Sequence, residues 1–454
     1  MPVPDTIVAL STPPGRGGIG VIRLSGIDAL ALTRKLLRKD HFPPQANRVT
    51  LQTIFDPESG EALDQALITY FQTPYSFTGE DVIELSCHGS PVLLLRVIDA
   101  LLLLGARAAD PGEFTLRALT HGRINLNQAE AIRDLIDAQT HAAVRQAARQ
   151  LGGELSARLQ PIKDALIDII VPLESSLEFV EDDLPEITIE QINVRLSDLI
   201  QRLNDLASTF RAGRLLKEGL RVTLAGRPNV GKSSIFNRLL TFDRAIVTDI
   251  PGTTRDSLSE LITIQDIPIL LTDTAGVRTS DNLIESIGIE RTRRAMADAD
   301  LIVLVLDGTQ VLTSEDQELL ADARENKYLI ALNKSDLADF ALSNVCGLNG
   351  APIMPVSAKT GAGFDLFRDA ILKPFTATAI QDGSFLITNA RHYDLLRRAS
   401  DSLCSAKHLL ESRSSEDLIL LGLYESLRFL GEITGETTPE DVLSQIFATF
   451  CIGK

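Results

Sequence analysis

The run Gly226-Arg227-Pro228-Asn229-Val230-Gly231-Lys232-Ser233 fits the phosphate-loop pattern G-x-x-x-x-G-K-[ST], and no other stretch of the chain so narrows what it can fold into. The pattern has physical meaning only between a strand and a helix, where a glycine-rich turn aims backbone N–H groups at phosphate oxygens. Both flanks are present. Arg221-Val222-Thr223-Leu224-Ala225 is short, apolar and β-rich, while Ser234-Ile235-Phe236-Asn237-Arg238-Leu239-Leu240 has helical spacing. The expectation is a nucleoside-triphosphate site in an α/β domain, with Lys232 neutralising phosphate charge and Ser233 holding Mg²⁺.

The motifs that complete such a site follow in order. Asp273-Thr274-Ala275-Gly276 closes the apolar run Ile269-Leu270-Leu271, which places the aspartate at a strand's C-terminal edge and Gly276 beside a γ-phosphate. Between the two lies Thr248-Asp249-Ile250-Pro251-Gly252-Thr253-Thr254, in which Thr254 either reaches Mg²⁺ when the γ-phosphate is present or caps a turn. Asn333-Lys334-Ser335-Asp336 ends the run Tyr328-Leu329-Ile330-Ala331-Leu332 and decides the base. Asp336 accepts two hydrogen bonds from guanine N1–H and N2–H₂; adenine offers neither, and a site built on hydrogen bonds rejects the analogue lacking them by roughly 10⁴ or more. Ser357-Ala358-Lys359 adds a backbone N–H for guanine O6. Four ordered motifs, each after a strand, predict a GTPase domain.

Val277 follows Gly276, where a Ras-like site carries the glutamine that orients the attacking water. Transition-state charge must therefore come from elsewhere, an effect worth roughly 10³ to 10⁵ when an arginine finger supplies it. A monovalent cation is the leading source: Asn229 puts a side-chain carbonyl in the phosphate loop, and Thr248 to Thr253 could close over the ion. Glu285 is either a water-organising carboxylate or an exposed helix-start glutamate.

At 454 residues the chain exceeds one core and suggests about three domains. Four cysteines without C-x-x-C spacing fit reduced, cytosolic thiols. No secretory signal is visible, and the greasiest stretch, Val92 to Leu104, is 13 residues long and interrupted by Arg96 and Asp99, so it reads as a buried core helix rather than a membrane span. A formal charge of −17 argues against non-specific nucleic-acid binding. The basic cluster Arg34 to Lys39 is a solvated helix face or an RNA contact.

Thr6 to Leu10, Val21 to Leu24, Leu67 to Phe71 and Val82 to Leu85 read as strands. Gly15-Arg16-Gly17-Gly18-Ile19-Gly20 matches G-x-G-x-x-G but is rejected as a dinucleotide fingerprint, because β-branched Val21-Ile22 follows instead of a helix. From Asn127 to about Gly213 the composition turns helical, punctuated by Pro161, Pro172 and Pro185; Glu174 to Glu186 is a solvated linker or helix end. Arg391 to Leu410 and Asp417 to Gly431 are helical too, and Thr438-Pro439-Glu440-Asp441 starts a helix. Packing of these helices on the earlier ones would make the GTPase segment an insertion, with boundaries at 1–120, 121–216, 217–378 and 379–454. The terminal Phe450-Cys451-Ile452-Gly453-Lys454 is no prenylation box; Cys451 beside lysine is either a reactive thiol or part of a frayed tail.

From end to end the chain resembles the bacterial tRNA-modification GTPases of the MnmE (TrmE) family. The resemblance rests on Asp5-Thr6-Ile7-Val8-Ala9, Thr12 to Gly20, Ser76-Phe77-Thr78-Gly79-Glu80-Asp81, Pro111-Gly112-Glu113-Phe114, Gln128-Ala129-Glu130-Ala131-Ile132, the four nucleotide motifs and the terminal Cys-Ile-Gly-Lys. It implies a multidomain α/β protein: an α+β folate-binding-like N-terminal domain, a discontinuous helical domain and an inserted Ras-like P-loop GTPase domain, acting as a homodimer. It further implies an FAD-containing partner, MnmG, in a heterotetramer that modifies C5 of the wobble uridine of certain tRNAs with a one-carbon unit from tetrahydrofolate. By the family match, K⁺ would sit on Asn229, Thr248, Ile250 and Thr253, Mg²⁺ on Ser233 and Thr254, and a 5-formyl- or 5,10-methylene-tetrahydrofolate on Arg23, Glu84, Arg123 and Lys454, with Cys451 acting in the one-carbon chemistry. The family has lysine at position 123; arginine keeps the charge but changes the geometry. The rival readings are a ribosome-assembly GTPase, which should carry a basic RNA-binding appendage, and a signalling switch without one-carbon chemistry.

Overall fold

The computed structural model describes residues 5–42, 44–178, 189–243, 258–274, 292–345, 351–376, 385–436, 443 and 446–453. They form two compact units, one of Met1–Arg133, Gln150–Gln160 and Leu427–Lys454, the other of Asp134–Arg149 and Pro161–Ser426.

The first unit is built on six strands, β1 Ile7–Leu10, β2 Ile19–Ser25, β3 Val49–Phe55, β4 Ala62–Phe71, β5 Val82–His88 and β6 Arg107–Ala108, in the order β3-β4-β5-β2-β1-β6. Period-two alternation sorts the side chains. Val8, Ile22, Leu24, Ile68, Ile83 and Leu85 face the helices Ala29–Leu37 and Pro91–Leu103 in one core, and Ile7 and Ala9 face Phe114 on the other side. The rejected fingerprint is indeed followed by strand, since β2 starts at Ile19.

One expectation needs correction here. Pro91–Leu103 is amphipathic rather than buried all round: Leu94, Val97, Ala100 and Leu101 pack on the sheet while Val92, Leu95 and Leu103 are exposed. A helix laid on one sheet face can bury only one stripe of its surface. In the Arg34 to Lys39 cluster, Lys35, Arg38 and Lys39 are exposed, in keeping with a solvated face, and three of the cations also make contacts within the fold. Arg34 Nε donates to the Phe42 carbonyl at 3.0 Å, Lys39 Nζ to Gln52 Oε1 at 2.7 Å, and the Arg38 guanidinium lies 5.7 Å from the Phe55 ring centre.

In the second unit, β7 Leu220–Ala225, β8 Leu258–Ile264, β9 Ile267–Asp273, β10 Leu301–Asp307, β11 Tyr328–Asn333 and β12 Ile353–Pro355 form a sheet in the order β12-β11-β10-β7-β9-β8. All pairings are parallel except β8 with β9. Strand β10 is buried along its whole length, as a strand covered on both faces must be. The helix Ile189–Ser208 packs along Ala390–Glu411, with Ser400 Oγ 3.1 Å from Asn204 Oδ1 and the Phe210 ring stacked 4.5 Å from Tyr393. Chain entering the sheet and chain leaving it thus meet: Ile387 N donates to Thr209 Oγ1 at 3.0 Å.

Pro161 and Pro172 do not interrupt the helix; both lie inside Glu154–Glu178. Each removes an intrahelical bond at a cost of about 3 kcal/mol, and burial of Leu159, Ile162, Leu166, Ile169, Ile170 and Leu173 along that helix offsets it. The helix also absorbs the start of the acidic stretch. Pro185 and the helix start at Thr438 lie outside the described residues. No helix among the described residues is long and apolar enough to cross a membrane.

Candidate functional site

The nucleotide motifs converge at the C-terminal edge of the second sheet because β7, β9 and β11 run parallel and each ends in one of them. After β7 the loop turns at Gly226 and enters the helix Lys232–Asp243. Lys232 Nζ donates to the carbonyls of Gly226 at 2.6 Å and Arg227 at 2.9 Å, so the loop folds around the ammonium that phosphates would claim. Asn229 is exposed and left-handed, with φ 65°. Val230 is buried and anchors the loop, while Ser234 is exposed on the helix's first turn. Ser233 Oγ donates to Asp273 Oδ2 at 2.8 Å, joining two oxygens of the kind Mg²⁺ takes directly or through water. Thr274 Oγ1 donates to the Leu224 carbonyl at 2.9 Å, which ties the end of β9 to β7.

One side chain links phosphate and base ends. Asn333 Nδ2 donates to the Val230 carbonyl at 2.9 Å, and its Oδ1 accepts from Ala358 N at 3.1 Å. Gly231 must be glycine for this reason: its φ is 100°, and a Cβ there would stand 2.2 Å from Asn333 Nδ2. Ser357 Oγ donates to Asp336 Oδ1 at 2.6 Å, and this bond, helped by the Asp336 backbone N–H and the Lys359 charge, holds the Asp336 carboxyl below the usual range against the opposing effect of desolvation. Lys334, left-handed at φ 68°, reaches Asp307 Oδ2 at 2.5 Å. Desolvation would raise the Asp307 carboxyl, but the hydrogen bonds from Lys334 and Thr309 outweigh it and lower it.

A second polar cluster sits in the first unit, on the sheet face away from the two helices. Arg23 and Glu84 are direct register partners on β2 and β5. Arg23 Nε and Nη2 both donate to Glu84 Oε1, at 3.0 and 2.7 Å. The guanidinium lies 5.9 Å from the Phe77 ring centre and 5.7 Å from that of Phe114, within cation–π reach. Arg123 Nε donates to the Ser76 carbonyl at 3.2 Å, in the loop that carries Phe77.

The C-terminal segment docks here rather than fraying. Phe447 and Phe450 are buried with Leu126 and Ala129, and the Gly453 carbonyl accepts from Ser11 Oγ at 3.2 Å and lies 3.5 Å from Arg23 Nη1. Gly453, at φ 93°, fits only without a Cβ, which would stand 2.3 Å from the Leu10 carbonyl. Cys451 is exposed.

The comparisons with known proteins cover both clusters. The MnmE helical domain model matches residues 126–451, and that of the GTP-binding protein TrmE N-terminus matches 6–123. The tRNA modification GTPase MnmE of Koribacter versatilis is 45% identical over 457 aligned residues, covering 100% of both chains, and that of Aquifex aeolicus is 40% identical over 99% of this chain and 100% of its own.

The chain belongs to the MnmE family of tRNA modification GTPases.

For an MnmE-family chain, several site residues read from the sequence lie outside the described residues: Thr248, Asp249, Ile250, Pro251, Gly252, Thr253, Thr254, Ala275, Gly276, Val277, Glu285 and Lys454. Of the rest, Asn229, Lys232, Ser233, Asp273, Asn333, Asp336 and Ser357 come together at one sheet edge. Sequence reading missed the cross-links. It saw Ser357 as part of a backbone donor, not as the hydroxyl on Asp336, and it did not see Asn333 as a bridge. The gathering of Phe77, Phe114 and Gly453 around Arg23 has no local signal either, although Ser76 to Asp81, Pro111 to Phe114 and the terminal tail contain those residues.

Proposed function

We propose that this MnmE-family chain is a K⁺-stimulated GTPase. With an FAD-containing MnmG partner in a heterotetramer, it would install an aminomethyl-type group, such as carboxymethylaminomethyl, at C5 of the wobble uridine of certain tRNAs in the cytoplasm. The observation that carries this reading is the second polar cluster. A GTPase acting only as a switch or in ribosome assembly has no use for a half-buried cross-strand Arg23–Glu84 pair with the Gly453 carbonyl against it.

In the nucleotide site, Ser233 and Asp273, with Thr254, would hold Mg²⁺, which supplies charge neutralisation at the β- and γ-phosphates. K⁺ on Asn229, Thr248, Ile250 and Thr253 would supply the positive charge that Val277 cannot recruit through a water-orienting glutamine. The chain's own residues do the remainder. Lys232 exchanges two carbonyl partners for phosphate oxygens, the loop N–H groups fix the phosphates, Asp336 selects guanine, and Glu285 orients water.

In the first unit, Arg23 Nε and Nη2 both land on Glu84 Oε1, and among the described residues no hydrogen bond falls on Oε2. Arg23 therefore orients Glu84 so that the other oxygen meets the amino and ring N–H groups of a pterin. Arg123 and Lys454 are the cations left for the anionic tail of a 5-formyl- or 5,10-methylene-tetrahydrofolate, and Cys451 is the exposed thiol nearby in sequence. Homodimer formation through this unit is supported by exposed Val49, Leu51 and Leu67 on the outer hairpin, where Leu51 and Leu67 are register partners.

Wobble-uridine analysis by mass spectrometry in cells lacking the protein tests the proposal. C5-modified nucleoside should disappear and return with the wild-type gene; an unchanged nucleoside profile would refute the assignment.

A further inference from the structure

We propose that the connection from Asp307 to Asp316, which contains none of the four nucleotide motifs, is a brace that fixes the phosphate loop against the guanine loop. At one end, Asp307 takes the Lys334 ammonium at 2.5 Å. At the other, Asp316 lies 3.2 Å from Arg227 Nε, and Arg227 Nη2 donates to Gln310 Oε1 at 2.8 Å. Two loops far apart in sequence are thereby pinned to one short segment.

The Arg227 end is built to hold. The Asp316 side chain is 3% exposed and that of Arg227 18%, so the charges meet largely out of water. Asp316 is fixed independently: its Oδ2 accepts from Thr313 N at 3.0 Å and Thr313 Oγ1 at 2.8 Å, a capping box at the start of the helix Ser314–Ala323. The Arg227 Nε–H is not aligned on the carboxylate, so the contact works as an ion pair rather than a directed hydrogen bond. What Arg227 passes on is position. Its own carbonyl is one of the two that hold Lys232, and the neighbouring Gly226 carbonyl is the other. An untethered Arg227 lets these carbonyls and the adjoining N–H groups wander, so phosphate binding must first restore their order. Arg227 is thus a positioning residue, acting through the loop backbone.

This inference rests on the reading of the site as a guanine-nucleotide site, and the test separates the two. Binding of fluorescent mant-GDP to the full-length wild-type protein tests that reading; no binding would defeat it and the brace with it. Given wild-type binding, Arg227→Ala and Asp316→Asn should each raise Kd about tenfold, the scale of a lost charge-assisted contact. The double variant should be no weaker than the worse single one. Either Kd values within twofold of wild type in folded single variants, or losses that multiply in the double variant, would overturn the brace. A purely structural role would lower the melting temperature of the nucleotide-free protein without this coupling in Kd. If Arg227→Ala does not fold, Arg227→Lys decides: it keeps the charge but not the fork that serves both Gln310 and Asp316. A Kd raised by at least about threefold supports the brace, and an unchanged Kd overturns it.

Discussion

The Ser357 hydroxyl donates to Asp336 Oδ1 at 2.6 Å, joining the third and fourth nucleotide motifs through side chains. The bond stabilises the charged carboxylate and lowers its pKa. Base recognition by a depressed carboxyl is complete above that pKa and is lost as pH falls through it. Ser357→Ala should therefore move the acid limb of guanine-nucleotide affinity upward toward the ordinary carboxylate range, a shift that titrating mant-GDP Kd against pH would show. Asp336→Asn should weaken GTP binding and favour xanthine nucleotides, whose C2 carbonyl accepts from the new amide; equal GTP affinity in that variant would contradict the guanine assignment.

Hydrolysis should be faster in K⁺ than in Na⁺ at matched ionic strength, and Asn229→Ala should abolish the difference. The proposed ion sits on Asn229, which is exposed and left-handed in the loop. Phosphate-release assays in the two salts decide the point, and identical wild-type rates would remove the cation from the mechanism.

Burial, with the Asp64 charge nearby, pushes the Cys87 thiol up to about 12, whereas Cys404 and Cys451 are exposed. At pH 8 an alkylating reagent should label Cys404 and Cys451 and spare Cys87 until the protein is unfolded. Peptide mapping after timed labelling reads this directly; early modification of Cys87 would show that the sheet opens there.

Calorimetry of the full-length protein with 5-formyltetrahydrofolate should give binding that falls at least about tenfold in Glu84→Ala, which loses a charged hydrogen-bond acceptor. Arg23→Ala should weaken it too, because Glu84 then loses the partner that orients it. Binding that survives both substitutions would move the site elsewhere.

Phe450 is 6% exposed, its ring 5.1 Å from that of Phe447. Phe450→Ala should cost about 3–5 kcal/mol of local stability, the usual range for a buried aromatic. It should also release Gly453 from Ser11, so folate affinity should fall along with protection of the tail in hydrogen exchange. A tail that stays protected would mean that Phe447 alone holds it.

What the sequence determined by itself is the chemistry that lies in contiguous runs. The phosphate loop, Asp273, Asn333 to Asp336 and Ser357 to Lys359 were legible because each motif is local and follows one of the mutually parallel strands β7, β9, β11 and β12, whose C-terminal ends share one edge. The helices on either side of the GTPase segment were legible from spacing, but Pro161 and Pro172 misled, since local propensity yields to a long buried stripe. Only the tertiary structure decided the long-range pairings. Arg23 meets Glu84 because the β2–β5 register puts them opposite, and a one-residue slip would send each to the other face. Gly453 meets Ser11 across 442 residues of chain, and Arg227 meets Asp316 because the loop after β10 turns back beside the phosphate loop. Side-chain chemistry is written in residue types; which of those side chains come within 3 Å depends on strand register and on how the chain closes on itself, and no local run of residues encodes that.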